Sequence, residues 1–99
     1  MPVMDITPTS VNELHKTEGL NILDVREPYE FAAGKIPGSI NIPLGFLLQS
    51  LDQLDKGKEY IVVCRSGNRS SLGSQLLESR GYKVKNMEGG LMSWTGDLN

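Results

Sequence analysis

Tyr60-Ile61-Val62-Val63-Cys64-Arg65-Ser66-Gly67-Asn68-Arg69-Ser70 decides how the rest of the chain is read. Four strand-forming residues lead into the only cysteine of the sequence. A short polar loop with one glycine and two arginines follows, and then a helix opens. A strand–loop–helix junction of this kind aims the positive end of a helix, and a run of backbone N–H groups, back at the residue that ends the strand. That residue is a cysteine, so the junction can hold a thiolate and an anion beside it.

The neighbouring segments repeat the pattern. Leu20-Asn21-Ile22-Leu23-Asp24-Val25 is apolar with little alternation, as in a strand covered on both faces. Glu27 to Ala33 is expected as a short helix opened by Pro28 and stopped by Gly34, and Ser39 to Ile42 as a brief strand. Leu44, Leu47, Leu48, Leu51 and Leu54 recur at spacings of three and four and predict an amphipathic helix. Beyond the cysteine loop, Leu72, Leu76 and Leu77 predict a helix with one apolar stripe, ended by Gly81, followed by a strand from Tyr82 to Lys85. Upstream, Asp5 to Thr7 reads as an edge strand, and Thr7-Pro8 caps a helix carrying Val11 and Leu14. Gly89-Gly90 permits a tight turn, after which Leu91 and Trp94 pack down on the body, Trp94 as core rather than as a cofactor platform. Strands alternate with connections too long for hairpins. The expected fold is α/β, a central parallel sheet flanked by helices on both faces. Ligands in such sheets sit outside the carboxyl ends of the strands, where Asp24-Val25-Arg26 and Cys64-Arg65 both lie.

Ninety-nine residues suit one domain, expected to span 1–99. A net charge of −2 offers no general field for nucleic acid, and the arginines near Cys64 suit a small anion better than a polymer. A lone cysteine cannot close an intramolecular disulfide, which favours a reducing compartment. Met1 to Pro8 has no basic region followed by an apolar run, and no stretch approaches the roughly 18 apolar residues of a membrane helix. The expected location is cytoplasmic, with no membrane partner. The one histidine, His15, reads as a solvent-facing helix residue, and no second histidine or cysteine exists to complete a metal site with it. Neither metal nor cofactor is expected.

The chemistry turns on Cys64. A free thiol has a pKa of about 8.5, and a helix N-terminus with nearby arginines lowers it. N–H groups from Arg65 to Ser70 can form a nest around an anionic atom, Gly67 lets the backbone curl, and Ser66, Ser70 and Ser71 add hydroxyl donors. Ser70 or Asn68 is a candidate cap for the helix. The plain alternative is a small buried apolar cysteine at a strand end. No histidine is placed to act as base, so a nucleophile here is activated by its electrostatic surroundings alone. Sulfur transfer through a persulfide and phosphate-ester cleavage through a phosphocysteine both fit that restriction. The cysteine-based phosphatase signature puts five residues between Cys and Arg. Here Arg69 follows Cys64 after four, a smaller ring suited to a terminal sulfur atom. Asp24 could serve a phosphatase as acid, but an ion pair with Arg26 competes for it.

Taken together, Leu23 to Glu27 with Tyr29-Glu30-Phe31, Gly34 to Pro43, Ile61 to Ser70, and Gly81-Tyr82 through Glu88-Gly89-Gly90-Leu91 to Trp94 resemble the small single-domain members of the rhodanese-like family, in that family's order and over nearly the whole chain. The resemblance implies a sheet of about five parallel strands. It implies that Cys64 takes sulfane sulfur from thiosulfate or a persulfide donor and passes it to cyanide or a thiol acceptor, a protein thiol included. The family's loop transfers onto Cys64, Arg65, Ser66, Gly67, Asn68 and Arg69, a length that matches the sulfurtransferase members. Arg65 and Arg69 are expected to neutralise the entering anion, Ser70 to line the same site, and Asp24 and Arg26 to brace the loop from the neighbouring strand. Lys35 stands where the family often has histidine, a change expected to affect the turn more than the reaction. The rival readings are a sulfur carrier or interaction module with little activity on small molecules and, after it, a phosphatase.

Overall fold

The computed structural model describes residues 3–99. Five strands, β1 (Met4–Ile6), β2 (Asn21–Asp24), β3 (Ile40–Asn41), β4 (Glu59–Val63) and β5 (Lys83–Met87), form one sheet in the order β1-β5-β4-β2-β3. Every pairing is parallel. The helices α1 (Pro8–Glu18), α2 (Pro28–Ala33) and α3 (Asn68–Ser79) lie in the connections, with 3₁₀ segments at Leu44–Gln49, Leu51–Gln53 and Gly90–Ser93. Among the described residues no helix is long and apolar enough to cross a membrane.

Alternation along the central strands builds two cores. Leu23, Val25, Tyr60, Val62 and Cys64 join Leu47, Leu54 and Leu77 on one face of the sheet. Ile22, Ile61 and Val63 join Val11, Ile36 and Met87 on the other, with Leu91 and Trp94 packed against them. Trp94 is thus a core-side residue, and its Nε1–H donates to Asp97 O at 3.1 Å. The period-two pattern therefore assigns Cys64 to the face that α3 covers.

Chain direction selects the edge at which chemistry can sit. β2 is followed by its neighbour β3 on one side, and β4 by its neighbour β5 on the other. The connections diverge between β2 and β4, opening a crevice at their carboxyl ends. Cys64 follows β4 there, and Val25 N–H donates to Val63 O at 2.9 Å to tie the two strand ends together.

Four expectations are corrected. The leucine run after Pro43 is not one amphipathic α-helix but two 3₁₀ pieces interrupted at Ser50, whose φ is −119°. Gly45 weakens a regular helix there, and the 3₁₀ path buries Leu47 and Leu54 while leaving Leu48 exposed. On α3 the sheet-facing residues are Ser70, Gly73, Ser74 and Leu77, and Leu72 is 49% exposed. A side chain at Gly73 would meet Leu44 Cδ1 and Leu47 Cδ2 at 3.4 Å, so small residues let this helix approach closely. On α1, Val11 is buried but Leu14 is exposed. His15 does not face solvent. Its Nδ1 accepts from Leu20 N–H at 2.9 Å, so Nε2 carries the proton and donates to Pro37 O at 2.7 Å, stapling α1 to two loops.

Candidate functional site

The loop from Cys64 to Gly67 joins β4 to α3, and Gly67 is the residue from which α3 starts. It adopts the left-handed conformation at φ 103° and makes no side-chain cap. Neither Asn68 nor Ser70 takes the capping position. The first N–H groups of the helix are therefore left free to face the loop. Gly67 N–H donates to Cys64 Sγ at 3.0 Å. Burial opposes the thiolate. Hydrogen bonds from the Ser70 hydroxyl and from the N–H groups of Ser70, Gly67 and Ser66 outweigh it and lower the Cys64 pKa below its ordinary value. Backbone and hydroxyl donors, rather than arginines, are the main holders of the anion.

Ser70 is fully buried, and its Oγ also lies 3.2 Å from Gly67 O, within reach of donating there. One hydroxyl proton serves one acceptor at a time, and ionisation of Cys64 draws it toward sulfur. Ser70→Ala should therefore move the Cys64 titration to higher pH. Alkylation of the thiol by iodoacetamide, followed across pH, should show the curve displaced upward. An unchanged curve would remove Ser70 from the thiolate's donors.

Cys64 is fully buried and Arg65 is exposed, with no ion pair among the described residues. Ser66 and Asn68 are exposed at the loop tip. A second loop clamps the first from behind. Leu91 N–H donates to Cys64 O at 2.8 Å and Met92 N–H to Arg65 O at 2.9 Å. The Gly89-Gly90 turn that presents these donors also packs on Gly67, where a side chain would lie 3.2 Å from Gly89 N. The glycine pair, legible in the sequence only as a turn, thus fixes the position of the cysteine loop.

Arg69 is held by a carboxylate. Its Nη1 and Nη2 donate to Glu30 Oε1 and Oε2 at 2.6 and 2.9 Å, across 39 residues of sequence. Glu30 Oε1 also accepts from Glu27 N–H at 3.0 Å at the start of α2. One carboxylate therefore caps α2 and anchors α3 beside the cysteine. The sequence hinted at Glu30 only through its place three residues after Glu27, ahead of a helix. The Arg69 hydrogen bonds, acting against burial and helped by Glu27 N–H, hold the Glu30 carboxyl at about 2, and the pair raises the Arg69 pKa above its usual value.

A carboxyl depressed in the folded protein stabilises it above the unfolded-state pKa, and that contribution is lost as pH falls through the folded value. Glu30→Gln should thus lower the thermal midpoint at neutral pH. The gap to wild type should close between pH 4.5 and about 2. Thermal scans of both proteins across that window check it, and a gap that persists at the acid end would contradict the pairing.

Asp24 and Arg26 form the other buried pair. Arg26 Nη2 donates to Asp24 Oδ2 at 2.8 Å and to Gly34 O at 2.7 Å, while Arg26 Nε contacts both carboxylate oxygens at 3.0 Å. Asp24 is fully buried and both of its carboxylate oxygens are engaged by Arg26, so it is not placed to reach a leaving group. The pair ties the end of β2 to Gly34, and Arg26 reaches the mouth of the site. There a groove of about 380 Å³ runs between Tyr29, Glu30 and Ala33 of α2 and Leu91 and Met92, with Arg26 and Arg65 contributing to its lining. Lys35 lies over the Phe31 ring at 5.0 Å, and its backbone exchanges two hydrogen bonds with Asn99.

Comparison with known proteins agrees with this geometry. The family description "Rhodanese-like domain" matches residues 7–97. A Bacillus subtilis protein provisionally named sulfurtransferase YtwF is 39% identical over 98 residues, covering 98% of this chain and 95% of that protein. Another from the same organism, provisionally named sulfur carrier protein YrkF, is 40% identical over 80 residues, which are 80% of this chain and 43% of that protein. Among solved structures, a rhodanese-related protein from Thermoplasma volcanium superposes with a TM-score of 0.90 at 34% identity, covering 97% of each chain.

Proposed function

The chain belongs to the rhodanese-like domain family, and from that premise we propose that it moves sulfane sulfur from thiosulfate or a persulfide donor to a thiol or cyanide acceptor through a persulfide on Cys64, with its 99 residues acting as one domain. Sulfur transfer is the chemistry its relatives are named for. The observation that carries the reading is a fully buried cysteine just ahead of α3 whose sulfur accepts from Gly67 N–H at 3.0 Å and has the Ser70 hydroxyl beside it, an arrangement that favours the thiolate.

In the first half-reaction the Cys64 thiolate attacks the outer sulfur of the donor. A new S–S bond forms at Cys64, and the old bond breaks with its electron pair leaving on sulfite, or on the donor thiolate. The N–H groups of Ser66, Gly67 and Ser70 are directed at the Cys64 sulfur and hold its negative charge before the attack; as the S–S bond forms, that charge passes to the outer sulfur and the leaving group. Arg65 meets the anion as it enters. Arg69, held by Glu30, fixes the first turn of α3 instead of neutralising the substrate. Asp24 and Arg26 hold the β2 end against which the loop rests. In the second half-reaction the acceptor attacks the outer sulfur of the persulfide and returns the thiolate.

The same features argue against phosphate-ester cleavage. Such a reaction needs a guanidinium over the phosphoryl oxygens and an acid for the leaving group, and here Arg69 and Asp24 are each bound to another side chain. A carrier role uses the same persulfide and is favoured by the likeness to the relative named a sulfur carrier. Steady-state rates with thiosulfate and a thiol or cyanide separate these readings. Parallel double-reciprocal lines support an enzyme with a covalent intermediate. Sulfur loading without discharge to any small acceptor identifies a carrier. Intersecting lines would rule out the persulfide route.

A further inference from the structure

The mouth of the site carries less positive charge than its arginines suggest. Arg26 is neutralised by Asp24 and Arg69 by Glu30, which leaves Arg65 as the one guanidinium there without a carboxylate among the described residues. Thiosulfate brings two negative charges and no apolar surface. The groove offers one unpaired positive charge and walls from Tyr29, Ala33, Leu91 and Met92. Tyr29 is 76% exposed and Met92 68%, so two large side chains that line the groove, one on α2 and one on the Gly90–Ser93 segment, face solvent. At about 380 Å³ the space falls within the range of small-molecule sites and far exceeds what an inorganic anion needs.

We propose that this groove selects, among sulfane-sulfur donors, low-molecular-weight organic monoanions whose apolar body lies on Tyr29 and Met92 and whose single charge meets Arg65. The class comprises organic persulfides, R–S–S⁻, and thiosulfonates, R–SO₂–S⁻. The inference rests on the sulfur-transfer reading and specifies its donor. The step balances in either case. The Cys64 thiolate forms an S–S bond to the terminal sulfur, and the bond from that sulfur to the rest of the donor breaks. The electron pair departs on a thiolate R–S⁻ or a sulfinate R–SO₂⁻, and total charge is unchanged. No outside oxidant or reductant is required. Because Cys64 is fully buried, a donor must present its sulfur as a protruding terminal atom, and the body behind that atom is left outside, over the groove.

Benzenethiosulfonate and methanethiosulfonate test this directly, since both are monoanions with a sulfinate leaving group. In a double-displacement reaction kcat/KM for the donor reports the donor half-reaction alone, and a ratio of two donors cancels any difference in active fraction between variants. In wild type the phenyl donor should exceed the methyl donor by about tenfold or more, beyond their ratio against a free small thiol. In Tyr29→Ser/Met92→Ser that excess should fall to within about twofold. Glu30→Gln, which frees Arg69, should raise thiosulfate relative to methanethiosulfonate. An excess that survives the double variant, or no excess in wild type, overturns the proposal while leaving sulfur transfer intact. If none of the three donors places sulfur on Cys64, as read by intact mass, the sulfur-transfer reading itself falls and this proposal with it.

Discussion

Gly90→Ala is expected to destabilise the protein by about 3 kcal/mol and to abolish sulfur transfer in whatever remains folded. Two effects add. Gly90 has φ +62°, which an alanine adopts only with strain. Its new methyl carbon would also collide with Arg65 O and lie 2.6 Å from Cys64 O, where nothing but backbone is available to move. Relief requires breaking the bonds from Leu91 N–H and Met92 N–H that hold the cysteine loop. For a domain of this size the loss corresponds to a fall of roughly 15 °C in Tm. Gly19→Ala is the control: φ is +71° there but nothing lies within 4 Å, so strain acts without a clash. That change should cost only about 1 kcal/mol. Equal thermal shifts for the two variants would contradict the clamp.

Cys64→Ser has the other large effect, with the opposite balance. The hydroxyl replaces a fully buried thiol of similar size beside Gly67 N–H, so the fold should be retained with a stability change of about 1 kcal/mol. Transfer from any sulfane-sulfur donor should fall at least about a thousandfold, because an alcohol at this site has neither a thiolate's nucleophilicity nor a base to ionise it. His15 cannot supply that base, since both its ring nitrogens are engaged by Leu20 and Pro37. Residual activity within tenfold of wild type would show that sulfur moves by another route.

Much of this arrangement could be read from local pattern. Ile61, Val62 and Val63 ahead of Cys64 announced a buried central strand, and Gly67 with the residues after it announced a loop turning into a helix. Placing Asp24-Val25-Arg26 beside that loop needed only the rule about strand carboxyl ends. Features set by packing were not visible. The leucines from Leu44 to Leu54 have helical spacing, yet the chain there breaks at Ser50. On α3 the apolar stripe through Leu72 lost to the small residues Ser70, Gly73 and Ser74, because close approach to Leu44, Leu47 and Val25 requires the missing bulk. His15 read as surface because its partners are backbone groups of two loops. The costliest omission was Glu30. Arg69 looked like a substrate residue from its distance to Cys64 along the chain, and only the three-dimensional fold shows the carboxylate that claims it.

That omission changes the electrostatic account more than the chemical one. With Arg69 paired to Glu30, the proposed mechanism holds the sulfur anion mainly by the start of α3 and the Ser70 hydroxyl, and it assigns recognition of the donor to Arg65 and the groove beside it.

The most direct test is the intact mass of the protein after incubation with thiosulfate, benzenethiosulfonate and an organic persulfide, followed by removal of excess donor. The account predicts a gain of one sulfur atom, located by peptide mapping at Cys64, removed by a thiol or cyanide, and missing in Cys64→Ser. A protein that gains no sulfur from any of these donors, or gains it equally in the serine variant, would contradict it.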